Sequence, residues 1–142
     1  MLAAQLSPLT RKFVDALYIE AMVLADEART YFDETCHAER DRLPPQPRVL
    51  FSCEALKVTT RLMYCVTWLL AARAGESGHI DRLGVVQESE SATIASLPDE
   101  AQALIRASEE LYRRVARLAR QLRAAPIHSP VGSLMSQLSA AF

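Results

Sequence analysis

The chain has 142 residues, which is enough for one domain with a tail but leaves no room for two independent cores. Half of the residues are hydrophobic, 23% are charged and 4 are glycine. This composition excludes a disordered or fibrous chain, and it argues against a turn-rich β fold and a glycine-rich phosphate loop. The net charge of −1 excludes a strong overall field for nucleic acid or anionic membranes.

The first predicted helix covers residues 8–35. Ser7 is a suitable N-cap, and Pro8 suits the first helical position because its missing N–H would be unpaired there anyway. Apolar residues then recur every three or four positions, which places them in one seam on one face of a helix: Val14, Leu17, Ala21, Leu24, Ala28 and Tyr31. Three more apolar residues lie outside this seam: Ile19, Met22 and Val23. The prolines from 44 to 47 are predicted to end the helix and any continuation of it.

The second predicted helix covers residues 48–74 and is stopped by Gly75. One apolar seam consists of Val58, Leu62, Cys65, Leu69 and Ala72. A second seam consists of Leu56, Thr59, Met63, Val66 and Leu70. A helix that is apolar on two faces is buried between partners. If the other helices cover one face alone, the second face belongs to another subunit, so we predict a homodimer with Ile19, Met22 and Val23 at its interface.

The third predicted helix covers residues 97–124, after a loop over residues 75–96. Ser96 and Asp99 have the spacing of a capping box. A long seam follows: Ala101, Leu104, Ser108, Leu111, Val115, Leu118 and Leu122. Three long helices with internal seams predict an all-α fold, an antiparallel three-helix bundle over residues 1–125.

The tail, residues 126–142, has no charged side chain. Ser129 and Pro130 resemble a helix start, and one apolar stripe follows: Val131, Leu134, Met135, Leu138 and Phe142. So short a segment is marginal as an isolated helix. We expect it either to dock on its own bundle or dimer mate, or to be recognised in a groove of a protein partner.

The sequence contains none of the common catalytic or nucleotide-binding motifs. The three histidines, His37, His79 and His128, are far apart, and the adjacent Cys36 is better explained by a solvated helix end than by a metal site. We therefore expect no enzymatic activity, no cofactor and no metal. The odd cysteine count, the missing signal peptide and the absence of a long apolar run predict a cytoplasmic protein with no membrane contact.

Arginines are concentrated at the end of the third helix, where Arg113, Arg117 and Arg120 share one face. Three interpretations remain open for this face. The arginines could stabilise the helix, with Glu109 and Glu110 pairing with residues four positions later. They could instead bind a protein partner, or contact nucleic acid, which the net charge does not favour.

Arg61 is the other unusual arginine, because it lies among apolar neighbours in the second helix. It is expected to lay its stem over them and reach solvent, or to pair with an acid of the first helix.

Two segments resemble a known family. The run from Cys53 to Met63, followed by Trp68, Leu69 and Leu70, is similar to the signature of the RcdA family, regulators of CtrA degradation. This alphaproteobacterial family was formerly a domain of unknown function. The third helix adds matching positions: Leu97, Pro98, Ser108, Leu111, Tyr112, Arg114, Val115, Arg117 and Leu118. The resemblance covers residues 8–123 and does not extend to the tail.

The resemblance implies a dimeric three-helix bundle without catalysis. It further implies an adaptor in cell-cycle-controlled proteolysis, which presents substrates such as a CtrA-like response regulator to the ClpXP protease together with other adaptors. The family has no ligand residues to carry over. Two other functions remain open, a nucleic-acid-binding regulator that uses the arginine face and a purely structural dimeric bundle. The candidate partner-binding residues are Arg113, Arg117, Arg120, Val131, Leu134, Met135 and Leu138.

Overall fold

The computed structural model describes residues 6–75 and 83–124. Its elements are α1 (Pro8–Thr30), a π-helical turn (Tyr31–Thr35), α2 (His37–Asp41), α3 (Pro45–Ala74), α4 (Ser91–Ala95) and α5 (Asp99–Ala124). No strand occurs in these two ranges, so the all-α prediction is confirmed there, and α1, α3 and α5 pack together. The predicted tail and its stripe, Val131, Leu134, Met135 and Leu138, lie outside the described residues.

The first two long helices are antiparallel. Arg73, near the end of α3, donates to a carboxylate oxygen of Asp15, near the start of α1, at 2.9 Å. At the other end, the rings of Tyr31 and Phe51 lie 6.3 Å apart between centroids. Low residue numbers in α1 therefore meet high numbers in α3, as expected for helices joined by the short connection through α2.

The last long helix runs parallel to α3. Arg61 of α3 donates to the hydroxyl of Ser108 in α5. About one turn further along both helices, Tyr64 and Tyr112 meet at Gly84, which lies against the ring of Tyr64 and accepts a hydrogen bond from Tyr112. The predicted simple antiparallel order is therefore wrong for this pair. The long connection after Gly75 allows the direction, because a crossover can return the chain to the end from which α3 started.

The helix boundaries differ from the predictions at three places. The π-helical turn interrupts the first predicted helix at Tyr31. The second begins at Pro45, because prolines in a first turn forfeit no helical hydrogen bond. The predicted capping box at Ser96 is wrong. The Ser96 side chain ends α4 by donating backwards to the carbonyl of Thr93 at 2.7 Å, and α5 begins at Asp99.

Other boundaries follow the sequence. The hydroxyl of Ser7 accepts from the Thr10 amide at 3.0 Å and Pro8 opens α1. Gly75 ends α3 with a φ of 77°, in the left-handed region where glycine has no side chain to clash.

The core is formed by the predicted seams. The predicted seam residues of α1 and α5 are buried, except Leu24 and Leu122, which are half-buried. In α3 the seam of Val58, Leu62 and Cys65 is buried, and burial raises the pKa of the Cys65 thiol to about 12. Cys53, by contrast, is exposed on the solvent side of α3.

The second seam of α3 is exposed at Leu56, Met63 and Leu70. The other described helices therefore cover one apolar face of α3 and leave the second open.

Residues 83–90 form a segment that is neither helix nor strand, here called the strap, and it lies along α3 and α5. The carbonyl of Gly84 accepts a hydrogen bond from Tyr112 of α5, and Gly84 lies against the ring of Tyr64 of α3. Further along, Gln87 and Ser89 contact Arg61. The predicted loop over residues 75–96 also contains a short helix, α4, at its end.

We expect Leu118→Ala to destabilise the protein by about 2–5 kcal/mol, because the truncation leaves a cavity in the core. Urea unfolding followed by circular dichroism measures this change. The same substitution at Leu9, which is 78% exposed, is the matched control and should change stability by about 0.5 kcal/mol or less. Equal effects of the two substitutions would contradict the core assignment.

We expect Gly84→Ala to displace the strap, because a Cβ atom there would lie 2.6 Å from Cδ2 of the Tyr64 ring. Amide hydrogen exchange should accelerate at residues 83–89 and change little in the core of α1. Adding Tyr64→Ala removes the clash and should restore slow exchange. Unchanged protection in Gly84→Ala would refute the close approach.

Candidate functional site

Arg61 is the most unusual side chain of the described core, because it is 2% exposed and charged. Its Nη2 atom donates to the Gln87 carbonyl at 3.0 Å and to the Ser89 hydroxyl at 2.9 Å. Its Nη1 atom donates to the Ser108 hydroxyl at 3.4 Å. Neither predicted outcome is therefore correct, since the guanidinium reaches neither solvent nor an acid of α1.

Two carboxylates extend this network, Glu109 by direct contact with the guanidinium and Glu54 through Ser89. An oxygen of Glu109 in α5 lies 3.7 Å from Nη2 of Arg61 and accepts from the Ser89 amide at 3.0 Å. Glu54 accepts from the Ser89 hydroxyl and lies 3.0 Å from the ammonium of Lys57. The two acids and two bases balance in charge, as buried ionic groups require. We call Glu54, Arg61, Ser89, Ser108 and Glu109 the buried polar cluster.

The sequence suggested that Glu109 pairs with Arg113, but its carboxylate is already used by Arg61 and Ser89. Arg113 pairs with Glu110 at 3.0 Å, and both side chains are largely exposed. Arg114, which lies outside the arginine face, donates to Glu20 of α1 at 2.6 Å, and this hydrogen bond raises the pKa of its guanidinium. The predicted pairing of Glu109 with Arg113 is wrong, because Glu109 faces α3 and the strap. The hydrogen-bonded partner of Arg114 is Glu20 rather than the predicted Glu110, whose charge adds a smaller contribution to the raised pKa.

The arginines predicted to share a face do line one pocket. Arg113, Arg117 and Arg120 surround an opening of about 270 Å³ between α5 and the strap. Its other lining residues are Arg61, Val86, Glu88, Glu109, Tyr112 and Ala116. We call it the arginine pocket. It shares Arg61 and Glu109 with the buried polar cluster, so the cluster forms part of the pocket wall.

A second open surface lies between α1 and α3. Met22 of α1, which is 45% exposed, and Met63 of α3 line one groove of about 390 Å³ there, and Leu56 and Leu70 are exposed seven residues to either side of Met63. We call these four residues the apolar face. Ile19, which the sequence also predicts at the interface, is 63% exposed on α1. Val23, the third predicted interface residue, is 54% exposed but borders another groove, between α1 and α5.

The candidate metal ligands do not converge in the described ranges. His37 contacts the carbonyl of Asp33 at 3.0 Å, and the thiol of Cys36 donates to the carbonyl of Phe32 at 3.2 Å. Across residues 6–75 and 83–124, no group of three acidic, histidine or cysteine side chains is placed to hold a metal ion. Among the same residues, no helix combines the length and the apolar character needed to cross a membrane.

A family model described as "Protein of unknown function (DUF1465)" matches residues 7–142. The chain belongs to this family. The DUF1465 match includes all the residues of the buried polar cluster, the arginine pocket and the apolar face, and it extends through the tail. Comparison with curated proteins and with solved structures finds no match.

We expect Arg61→Met to destabilise the DUF1465 chain by about 3–5 kcal/mol, because Glu109 then keeps a buried charge without its cationic partner. Urea unfolding at neutral pH measures this loss. Adding Glu109→Gln removes the unpaired charge and should restore part of the stability. A single substitution that costs less than about 1 kcal/mol would contradict the role of this pair.

Proposed function

We propose that the chain is a non-enzymatic adaptor of the RcdA type, which presents substrates such as a CtrA-like response regulator to the ClpXP protease. The observation that carries this proposal is the pair of open surfaces on one small helical core. The apolar face offers hydrophobic side chains, whereas the arginine pocket offers cationic ones. An adaptor requires two such surfaces, because it contacts a cargo and a protease at the same time.

The resemblance of the second and third helices to the RcdA family supports the choice of ClpXP. Its signature from Cys53 to Met63 includes Glu54 and Arg61, and its third-helix positions include Ser108. Three members of the buried polar cluster therefore fall within the resembling segments. The segments that resemble the family thus contain residues whose hydrogen bonds position the strap and one wall of the arginine pocket.

The apolar face supports a homodimer as part of this proposal. Exposed methionine and leucine side chains on adjacent helices bury hydrophobic area when two copies meet, and a two-fold axis lets the same face serve both. The rim carries an ion-paired group, Arg29 with Asp26 at 3.1 Å, as is typical of the polar edge of an interface. We assign Met22 and Ile19 to this contact and place Val23 at its margin.

We expect Met22→Lys combined with Met63→Lys to convert the dimer to monomer, because two charges per copy would be buried at the interface. Light scattering at tens of micromolar should give twice the chain mass for the wild type and the chain mass for the variant. Val85→Lys, on the isolated and 88% exposed Val85, should leave the dimer intact. A monomeric wild type would refute the dimer.

The adaptor proposal is tested by degradation in a purified system. ClpXP, its partner adaptors and a CtrA-like substrate are mixed with or without the chain, and substrate loss is followed over time. We expect the chain to accelerate degradation at least about fivefold, as an effective-concentration gain would. Salt-sensitive retention on DNA, lost in Arg117→Glu, together with unchanged degradation would favour the nucleic-acid-binding alternative instead.

A further inference from the structure

The charges around the arginine pocket leave an excess of cationic groups. Arg61 is compensated inside the protein by Glu109, and Arg113 has an exposed partner in Glu110. Within residues 6–75 and 83–124, Arg117 and Arg120 have neither an ion pair nor a side-chain hydrogen bond. Glu88 is the one acid on the pocket lining that the buried polar cluster does not use. The pocket therefore presents two uncommitted guanidinium groups.

The pocket also has an apolar wall. It consists of the side chains of Val86 and Ala116 and the ring of Tyr112, all half-buried. The Tyr112 hydroxyl is already committed to the Gly84 carbonyl, and burial raises the pKa of this phenol, so it stays neutral. The ring face is what remains for contact with a ligand.

The size and spacing of the pocket match a short segment of extended chain. The pocket volume of about 270 Å³ lies just below the range of pockets that enclose a whole small molecule. The pocket therefore suits one side chain of a peptide, with the adjacent peptide residues outside it. Arg113 and Arg120 are about 10 Å apart along the helix axis, with Arg117 between them. In an extended peptide, alternate residues face the same side at intervals of about 6.7 Å. Carboxylates two residues before and two residues after a central apolar side chain are then about 13 Å apart. This distance is close to the full length of the arginine row, and the long arginine side chains at its two ends cover the difference.

We propose that the arginine pocket binds an acidic peptide segment of a protein partner, with one apolar side chain against Val86, Ala116 and Tyr112 and flanking carboxylates on the arginine row from Arg113 to Arg120. Carboxylates match the planar donor fork of arginine and can be bound through two hydrogen bonds. This inference rests on the proposed adaptor function for its choice of a protein ligand.

Nucleic acid fits these observations less well. A phosphate backbone favours a continuous cationic surface, whereas Glu88 and Glu110 interrupt this one. The apolar wall offers nothing to phosphates, and the chain as a whole is weakly acidic. A peptide that alternates acidic and apolar side chains uses both parts of the pocket.

The test uses three blocked probe peptides and the full chain. The first is Gly-Glu-Ser-Leu-Ser-Glu-Gly, the second replaces its leucine by alanine, and the third replaces both glutamates by glutamine. Binding is followed by NMR titration of amides in α5 and the strap. We expect the second peptide to bind about fivefold more weakly and the third at least tenfold more weakly than the first.

Variants locate the site. Arg117→Glu combined with Arg120→Glu should weaken the first peptide at least tenfold, since attraction becomes repulsion. Arg106→Glu is the matched control, because Arg106 is exposed on the same stripe of α5 but outside the pocket. It should change the affinity less than about twofold at physiological salt, where screening acts over roughly 8 Å. Ala116→Leu, which fills the apolar wall, should weaken binding while the chain stays folded by circular dichroism.

Four results would overturn the inference. These are equal binding of all three peptides, equal loss in Arg106→Glu and the double variant, undiminished binding to Ala116→Leu, and tighter binding of a single-stranded oligonucleotide of matched charge than of the first peptide. Failure of the adaptor proposal can be distinguished from failure of this inference. If the adaptor proposal fails, degradation by ClpXP would be unchanged, while the peptide affinities would still follow the expected order. Conversely, accelerated degradation without peptide binding would overturn the pocket assignment alone.

Discussion

Arg61 lies where α3, α5 and the strap meet, and its hydrogen bonds connect all three. One nitrogen reaches the hydroxyl of Ser108, and the other reaches the Gln87 carbonyl and the Ser89 hydroxyl. A buried charge is costly unless nearby groups satisfy it, so this position of the strap and the burial of Arg61 require one another. The parallel packing of α3 and α5 depends on the strap that returns the chain between them.

The same interactions connect the interior to the surface. Val86 and Glu88, which line the arginine pocket, alternate along the strap with Gln87 and Ser89, which Arg61 holds. Gln87 accepts through its backbone carbonyl, and Ser89 is bound through both its hydroxyl and its amide. Because Val86 and Glu88 are the chain neighbours of these two residues, the same bonds position the pocket wall, and the pocket is pre-organised in part by groups that do not line it.

The sequence predicted the elements that depend on local periodicity. Val14, Val58 and Val115 are buried where their spacings indicated, and Gly75 ends α3. The buried polar cluster was missed because its contacts join residues 20 or more positions apart, which no local pattern records. One signal was available, since Arg61 and Glu109 lie beside buried seam positions of their helices. Helix direction was missed for the same reason, because periodicity gives a helix's faces but not its orientation.

The parallel direction of α3 and α5 has a consequence for the order of folding. α1 and α3 can pair once the short connection through α2 has turned the chain back, because antiparallel neighbours need only a brief reversal. α5 cannot dock in the same way, since its start must first be carried back to the start of α3, and closing that longer loop costs additional chain entropy. We therefore expect α1 and α3 to pair first during folding. Docking of α5 with the strap, and with it the burial of Arg61, completes the fold.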